Sequence, residues 1–204
     1  MKYLVVEWSD VHKLALKLSD LITIDGYFPD ILVAIARGGW VVARLLSDFL
    51  GVEEVASVRV EFYEGINKRK GEARVTQPVS TSVEEKKVLL VDDVADTGES
   101  LRVARSHLYA EGAVEVRIAT LHKKPWSKVS PDYYAEETDA WIIYPWELRE
   151  TIANLVENWR HERPEIAEEE IARRLVRIGL DPETVHHFLP LTLDTKPAVR
   201  RVSL

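Results

Sequence analysis

Two kinds of hydrophobic pattern alternate along the first part of this sequence. The segments 30–36 and 87–91 each begin with one charged residue and continue as an uninterrupted apolar run, which is typical of strands that are buried on both faces. Apolar residues that recur every three or four positions over residues 11–21 are typical of an amphipathic helix. Because strand and helix patterns follow each other up to residue 144, they predict a mostly parallel sheet that helices cover on both faces.

The same patterns assign most of residues 1–144 to strands, helices or loops. Predicted strands cover residues 2–6, 30–36, 55–62, 87–91, 114–121 and 140–144. Predicted helices begin near residues 10, 41 and 98, and they end at Gly26, Gly51 and Gly112. Residues 63–85 and 122–138 are predicted loops. The first of these loops carries the basic run 68–70 and is long enough to be a lid or a binding loop. The alternatives are a disordered insertion or a plain hairpin.

The hydrophobic pattern of the sequence changes after Pro145, since only helical patterns and no strand patterns follow. Three helices are predicted at residues 146–159, 164–178 and 182–189, and the residues from 192 onward show no periodicity. We therefore expect an α/β domain at residues 1–147 and a small helical C-terminal module with a frayed tail at residues 148–204.

Composition narrows the possible functions. The chain has 46% hydrophobic and 30% charged residues, which is typical of an ordered globular protein. It has no cysteine, which excludes a disulfide scaffold, a thiol nucleophile and cysteine-ligated metal sites. A net charge of −7 argues against a nucleic-acid partner. No signal-peptide pattern opens the sequence and no apolar run approaches the ~20 residues that a membrane span needs, so we expect a cytoplasmic protein without a membrane partner.

The most informative segment is residues 88–101. Its four leading apolar residues place Asp92 and Asp93 at the carboxyl end of a central strand, where open α/β sheets bind ligands. Adjacent carboxylates are costly there unless they accept hydrogen bonds or face a cation. The two hydroxyls of a sugar together with Mg²⁺ would meet both needs. The alternative is that the two aspartates belong to an ordinary turn.

Small residues follow the acidic pair and open the next helix. Thr97, Gly98 and Ser100 can form a phosphate cradle, because backbone N–H groups at a helix N-terminus bind anions. Asp96 in this position could also be an ordinary helix cap. A sugar site and a phosphate site this close together indicate a phosphorylated ribose, and the pattern of a Walker loop is absent.

Residues 88–100, VLLVDDVADTGES, resemble the phosphoribosyl diphosphate (PRPP) signature of the type I phosphoribosyltransferases at essentially every position. The resemblance implies an α/β fold with a mostly parallel central sheet flanked by helices. It implies that Asp92 and Asp93 hold the ribose hydroxyls and Mg²⁺. The implied 5′-phosphate loop consists of Asp96, Thr97, Gly98, Glu99 and Ser100, and the implied pyrophosphate loop of Arg37, Gly38 and Gly39.

Two further features of the resemblance concern the base. Family members that act on 6-oxopurines carry an aspartate at the position of Asp96, where a carboxylate can accept the N7 proton of the purine. The segments around Lys124 and Trp141 are similar to the base-binding region of bacterial xanthine–guanine phosphoribosyltransferases. By this resemblance Lys124 contacts the purine O6, Trp141 stacks on the base and the backbone of Ile142 reads the exocyclic position. The alternatives are a surface lysine and a core aromatic.

The resemblance implies an enzyme that transfers the 5-phosphoribosyl group from PRPP to N9 of a purine, with 6-oxopurines favoured, as a homodimer. Of the Ser-Tyr pair that begins the family's mobile loop, only Tyr63 is present, because Phe62 replaces the serine. The C-terminal helical third resembles a group of archaeal purine phosphoribosyltransferases, some of which accept adenine, so adenine stays open as the base. A PRPP- or nucleotide-sensing regulatory protein without catalysis is the alternative from another class.

Overall fold

The computed structural model describes residues 2–63 and 72–193, with the side chain of Tyr63 excepted. The strands are β1 (Tyr3–Val5), β2 (Ile31–Ala36), β3 (Val55–Tyr63), β4 (Glu72–Gln77), β5 (Lys87–Ala95), β6 (Glu115–Lys123), β7 (Tyr133–Glu137) and β8 (Trp141–Ile143). The helices are α1 (Trp8–Ile24), α2 (Gly39–Leu50), α3 (Glu99–Ala110), α4 (Leu148–Glu162), α5 (Glu168–Arg177) and α6 (Pro182–Leu193). None of the helices in these ranges is long and apolar enough to span a bilayer.

The described chain forms two compact units. The first is the continuous segment of residues 9–139, and the second combines residues 2–8 with residues 140–193. The units therefore divide at a different place from the predicted boundary after residue 147. The physical reason is that β1 and β8 pair with each other in parallel, and Val5 and Ile143 pack into the apolar core of the C-terminal helices.

The first unit contains a sheet of order β4-β3-β2-β5-β6-β7, in which all pairs except β3–β4 are parallel. Along β2, Val33 packs in one apolar cluster with Leu90 of β5 and Leu101 of α3. The alternate residues Leu32 and Ala34 point to the opposite face and are also fully buried. Both faces of the sheet are therefore covered, and the predicted mostly parallel α/β fold is confirmed.

Two predicted loops contain strands, and this part of the prediction is wrong. In the predicted loop at residues 63–85, β4 pairs antiparallel with β3 at the edge of the sheet, and only Ala73 of β4 is fully buried. In the predicted loop at residues 122–138, β7 adds to the opposite edge in parallel with β6. Both are edge strands, and each has a neighbouring strand on one side only. Because edge strands are often short and polar, they lack the continuous apolar pattern of the central strands. The basic run 68–70 lies outside the described residues.

The second unit packs three helices around one apolar core. The helices α4 and α6 contact each other, as do α5 and α6, and Ile171 and Leu175 of α5 are fully buried in the core. The helix α6 begins at Pro182, as predicted. The helix α5 begins at Glu168, four residues after the predicted start at Pro164. Pro164 lies in the turn that precedes α5, where Ile166 N–H donates to the carbonyl of Arg163.

Adjacent residues of α5 offer a matched test of this core. We expect Leu175→Ala to lower the free energy of unfolding by about 2–5 kcal/mol, because it removes a fully buried side chain and leaves a cavity. The change Val176→Ala on the exposed side of the same helix is expected to cost less than about 0.5 kcal/mol. Urea unfolding of the full chain, followed by circular dichroism, measures both values. Equal costs would contradict the packing described here.

Candidate active site

The glycine turn after β2 lies against the acidic end of β5. These two strands are parallel neighbours, so their carboxyl ends lie at the same edge of the sheet. A Cβ atom on Gly38 would lie 2.0 Å from Oδ2 of Asp93, and one on Gly39 would lie 2.3 Å from the carbonyl oxygen of Val91. A side chain at position 39 would meet backbone atoms, whereas one at position 38 would require the Asp93 side chain to move. The structure thus brings the predicted pyrophosphate turn into contact with the predicted ribose site, and the Ala36–Arg37 peptide that enters the turn is cis.

Asp92 is a carboxylate in an unfavourable environment. Burial, and next the nearby charge of Asp93, raise its pKa well above the ordinary value, although Asp93 N–H donates to Asp92 Oδ1 over 3.0 Å. Thr120 is the neighbour of Asp92 on β6, and its buried hydroxyl finds no hydrogen-bond partner among the described residues. A cation or a hydroxyl-bearing ligand at this edge would stabilise the ionised pair.

These donors fit a magnesium ion that is shared with a substrate. Mg²⁺ in proteins is often bound through one or two carboxylates, with substrate phosphates and water completing its coordination shell. Asp92 and Asp93 supply such carboxylates. Within residues 2–63 and 72–193 no group of three or more His, Cys, Asp or Glu side chains could hold a metal by itself. If Asp92 and Asp93 hold Mg²⁺, a bound ligand would therefore have to supply further oxygen atoms.

The loop between β5 and α3 is held in one conformation by Gly98. Its φ of +81° is in the left-handed region, and a Cβ there would lie 2.7 Å from the backbone nitrogen of Val129. Thr97 Oγ1 accepts a hydrogen bond of 3.3 Å from the N–H of Glu99, the first residue of α3. The Glu99 carboxylate forms an ion pair with Arg102, which offsets its negative charge next to the predicted phosphate loop. The predicted phosphate loop therefore leads directly into the N-terminus of α3, and helix N-termini are favourable places for anions.

A second loop, at residues 124–132 between β6 and β7, runs along the first. The N–H of Lys124 donates to the carbonyl of Ala95 over 2.9 Å, and the N–H of Lys128 donates to the carbonyl of Thr97 over 3.1 Å. Between these two bonds, Nε1 of Trp126 donates to Oδ1 of Asp96 over 2.9 Å. Trp126 is not among the predicted site residues. Its place two residues after Lys124, at the carboxyl end of a parallel strand, is the signal that could have found it.

Lys124 is almost fully buried in this loop. Burial lowers the pKa of its ammonium group, while the charges of Asp96 and Asp139 act in the opposite direction. Its Nζ lies 5.6 Å from the centre of the Trp126 ring, within the range of a cation–π contact. A buried ammonium group beside a carboxylate can donate to a carbonyl oxygen of a ligand.

Comparison with known proteins identifies the family to which this chain belongs. The phosphoribosyl transferase domain matches residues 8–151, which is more than half of the chain. The chain belongs to the phosphoribosyl transferase family. The match ends within α4, so α5 and α6 lie outside it.

Named members of the phosphoribosyl transferase family are similar to the chain over most of their own length. The xanthine-guanine phosphoribosyltransferase of Gluconobacter oxydans is 32% identical over 148 residues, which are 71% of this chain and 84% of that protein. The enzyme of the same name from Nitratidesulfovibrio vulgaris is 31% identical over 150 residues, 72% of this chain and 85% of that protein. The crystal structure of a purine phosphoribosyltransferase from Pyrococcus horikoshii is 36% identical with a TM-score of 0.64, and the match covers 72% of this chain and 94% of that one.

The base-contact residues that the phosphoribosyl transferase resemblance implies fall on both units. Lys124 belongs to the first unit, whereas Trp141 and Ile142 lie on β8 of the second. On β8 the Trp141 side chain is half exposed and that of Ile142 is buried. Tyr63, the family's mobile-loop tyrosine, ends β3, and its side chain lies outside the described residues.

His122 on β6 is expected to make the stability of this chain depend on pH. Burial, helped by the charge of Lys124, lowers its pKa from 6.5 to about 4. Between these pH values the unfolded chain binds a proton that the folded chain does not, so the stability of the fold decreases as the pH falls. A shift of this size corresponds to about 3 kcal/mol.

We therefore expect His122→Gln to reduce the loss of unfolding free energy between pH 7 and pH 4 by about 3 kcal/mol. The matched control is His161→Gln on α4, which makes the same chemical change at an exposed histidine. Urea unfolding at a series of pH values provides the comparison. Parallel curves for His122→Gln and the wild type would show that His122 does not titrate differently in the two states.

Proposed function

We propose that the chain is a purine phosphoribosyltransferase. It transfers the 5-phosphoribosyl group from PRPP to N9 of a purine, with formation of the purine nucleotide and pyrophosphate, and it prefers the 6-oxopurines hypoxanthine, guanine and xanthine. The observation that carries this proposal is the contact of the Gly38–Gly39 turn with the acidic end of β5 in a member of the phosphoribosyl transferase family. The names of the similar proteins support a purine as the acceptor.

PRPP would bind along the carboxyl edge of the sheet. Asp92 and Asp93 accept hydrogen bonds from the two ribose hydroxyls, and the N-terminus of α3 holds the 5′-phosphate through the loop of residues 96–100. Arg37 and the N–H groups of the glycine turn hold the pyrophosphate. Mg²⁺ would be held by Asp92 and Asp93 together with substrate oxygens, and when bound it supplies positive charge that stabilises the leaving diphosphate.

The chemical step needs one proton acceptor from the chain. The lone pair of purine N9 forms the bond to C1′ of the ribose, and the bond from C1′ to the diphosphate oxygen breaks with its electron pair leaving on pyrophosphate. The proton on N7 of the purine passes to the carboxylate of Asp96, which acts as the general base. Asp96 is suited to this role because its side chain is exposed beside the predicted PRPP loop and is held by Trp126.

Lys124 favours an oxopurine over adenine. Its ammonium group has only hydrogens to donate, so it pairs with the O6 carbonyl of an oxopurine, whereas adenine presents an N6 amino group at the same position. Trp141 stacks on the base and the backbone of Ile142 reads the exocyclic position, as the family resemblance implies. Adenine remains the alternative substrate for the same scaffold.

Two further properties are part of this proposal. The chain forms a homodimer in the cytoplasm, and a loop that begins at Tyr63 closes over bound PRPP. Such a loop would keep water from hydrolysing PRPP before the purine reacts. We also retain the functional division in which residues 1–147 carry the reaction and residues 148–204 form an accessory helical module.

One experiment tests the proposed function directly. The full chain is incubated with PRPP, Mg²⁺ and either hypoxanthine, guanine, xanthine or adenine, and the nucleotide formed is identified by chromatography and mass spectrometry. We expect the three oxopurine nucleotides, and none of them when Mg²⁺ is chelated. Product from adenine alone would overturn the base assignment. Binding of PRPP without product from any base would overturn the enzymatic role and favour a PRPP-sensing protein.

A further inference from the structure

Trp126 occupies an unusual position for a tryptophan. Its side chain is 54% exposed, so burial of the ring in a core does not explain why it lies where it does. Its indole N–H donates to Oδ1 of Asp96 over 2.9 Å, which is an ordinary length for a strong hydrogen bond. We propose that Trp126 is a positioning residue for phosphoribosyl transfer, which holds Oδ1 of Asp96 and leaves Oδ2 to accept the purine proton. This inference rests on the proposed function, because it requires Asp96 to be the general base.

The backbone around this contact fixes its geometry. Two backbone hydrogen bonds, from Lys124 to Ala95 and from Lys128 to Thr97, flank the side-chain bond between Trp126 and Asp96 on either side. Next to these bonds, Val129 lies so close to Gly98 that a Cβ on residue 98 would be 2.7 Å from the backbone nitrogen of Val129. The two loops are therefore joined along their length, and the indole has a fixed direction from which it reaches the carboxylate.

The chemistry of the indole suits this task. The indole nitrogen is a donor only and stays neutral at every pH, so the bond to the carboxylate keeps the same direction throughout the reaction. A charge-assisted bond to one oxygen restricts rotation of the carboxylate, and the alignment of a general base with its proton governs the efficiency of the transfer. A lysine or arginine in this place would instead add a charge beside the base.

Trp126 also lies near Lys124, whose ammonium group interacts electrostatically with Asp96. The Nζ atom of Lys124 lies over the ring of Trp126, while the N–H edge of the same ring points to Asp96. One side chain thus touches both the group that we assign to the purine O6 and the group that we assign to the N7 proton. By this proposal, Trp126 sets the spacing between Lys124, which binds the purine O6, and Asp96, which accepts the N7 proton.

The variant Trp126→Phe isolates the contribution of the N–H, because it keeps an aromatic ring beside Lys124 and removes the donor. We expect kcat to fall by about tenfold while the KM for PRPP stays within about twofold. The matched control is Trp8→Phe, since Trp8 is 58% exposed and is placed in no part of the site. This control should retain wild-type kinetics.

A double-mutant comparison shows whether Trp126 acts through Asp96. In an Asp96→Asn background, the further change Trp126→Phe should lower kcat by less than about twofold, because the base that it positions is already lost. A further tenfold loss in that background would overturn the proposal, and so would wild-type kcat in the single variant Trp126→Phe. Absence of turnover in the wild type would instead contradict the proposed function itself, and full turnover in Asp96→Asn would contradict the general-base role on which this inference rests.

A spectroscopic measurement tests the contact without catalysis. The chain has six tryptophans, and the indole ¹⁵N–¹H resonance of Trp126 is assigned as the one that is lost in Trp126→Phe. The change Asp96→Ala removes the acceptor and should shift this resonance more than any of the others. An unshifted Trp126 resonance would overturn the proposal even if the kinetic variants folded poorly.

Discussion

Replacement of Asp96 by asparagine is expected to lower kcat for an oxopurine by about 10²–10⁴-fold and to change the Kd for PRPP by less than about threefold. Asparagine has the same size and its carbonyl oxygen can still accept the hydrogen bond from Trp126, but it cannot take a proton from the purine. The backbone bonds of Lys124 and Lys128 hold the loop independently of the Asp96 side chain. The loss should therefore lie in the chemical step and not in binding.

Steady-state kinetics with saturating PRPP give kcat, and calorimetric titration with PRPP gives Kd. The change Asp20→Asn on the exposed side of α1 serves as a control for the same chemical substitution away from the site, and it should leave both values unchanged. Equal losses in kcat and in PRPP affinity for Asp96→Asn would contradict the general-base role, because they would mean that Asp96 mainly holds PRPP.

The second large effect is expected from Gly39→Ala, which should weaken PRPP binding by at least about tenfold and lower the unfolding free energy by about 1–3 kcal/mol. The added Cβ would lie 2.3 Å from the carbonyl oxygen of Val91 and 3.3 Å from the Cα of Asp92. Both are backbone atoms that no side-chain rotation can move. Either the pyrophosphate turn or the acidic end of β5 must shift, and the proposed PRPP site needs both in place.

Gly51 at the other end of α2 provides the matched control. A Cβ there would meet nothing within 4 Å, although the φ of +67° disfavours alanine. We expect Gly51→Ala to cost about 1–2 kcal/mol of stability from backbone strain and to leave the affinity for PRPP unchanged. Thermal unfolding and calorimetry separate the two effects. Unchanged PRPP affinity in Gly39→Ala would show that this turn does not take part in binding PRPP.

The central elements of the fold could be predicted because burial on both faces leaves a strong pattern. The strands β2 and β5 appear in the sequence as uninterrupted apolar runs, and α2 and α3 as helical stripes that begin after glycine-containing turns. The strands β4 and β7 could not be predicted, because an edge strand with few buried residues has the composition of a loop. The division into units could not be predicted either, since it depends on the pairing of β1 with β8.

The features of the candidate site that consist of consecutive residues could be predicted, whereas the contacts between residues distant in sequence could not. The acidic pair and the glycine turn each follow a predicted strand, and the predicted phosphate loop opens a predicted helix, so all three are local patterns. Their contact depends on β2 and β5 being neighbours, which one sequence does not reveal. The bond between Trp126 and Asp96 joins side chains that are 30 positions apart in two different loops, so no local pattern indicates it.

The pairing of β1 with β8 also sets an order for folding during synthesis. The first unit is a continuous segment that can assemble when residue 139 has left the ribosome. The second unit cannot, because Tyr3 on β1 must wait for its partner Trp141 on β8. Contacts between residues so distant in sequence form slowly and late. Residues 2–8 are therefore expected to reach their final place only after residues 9–139 have been synthesised.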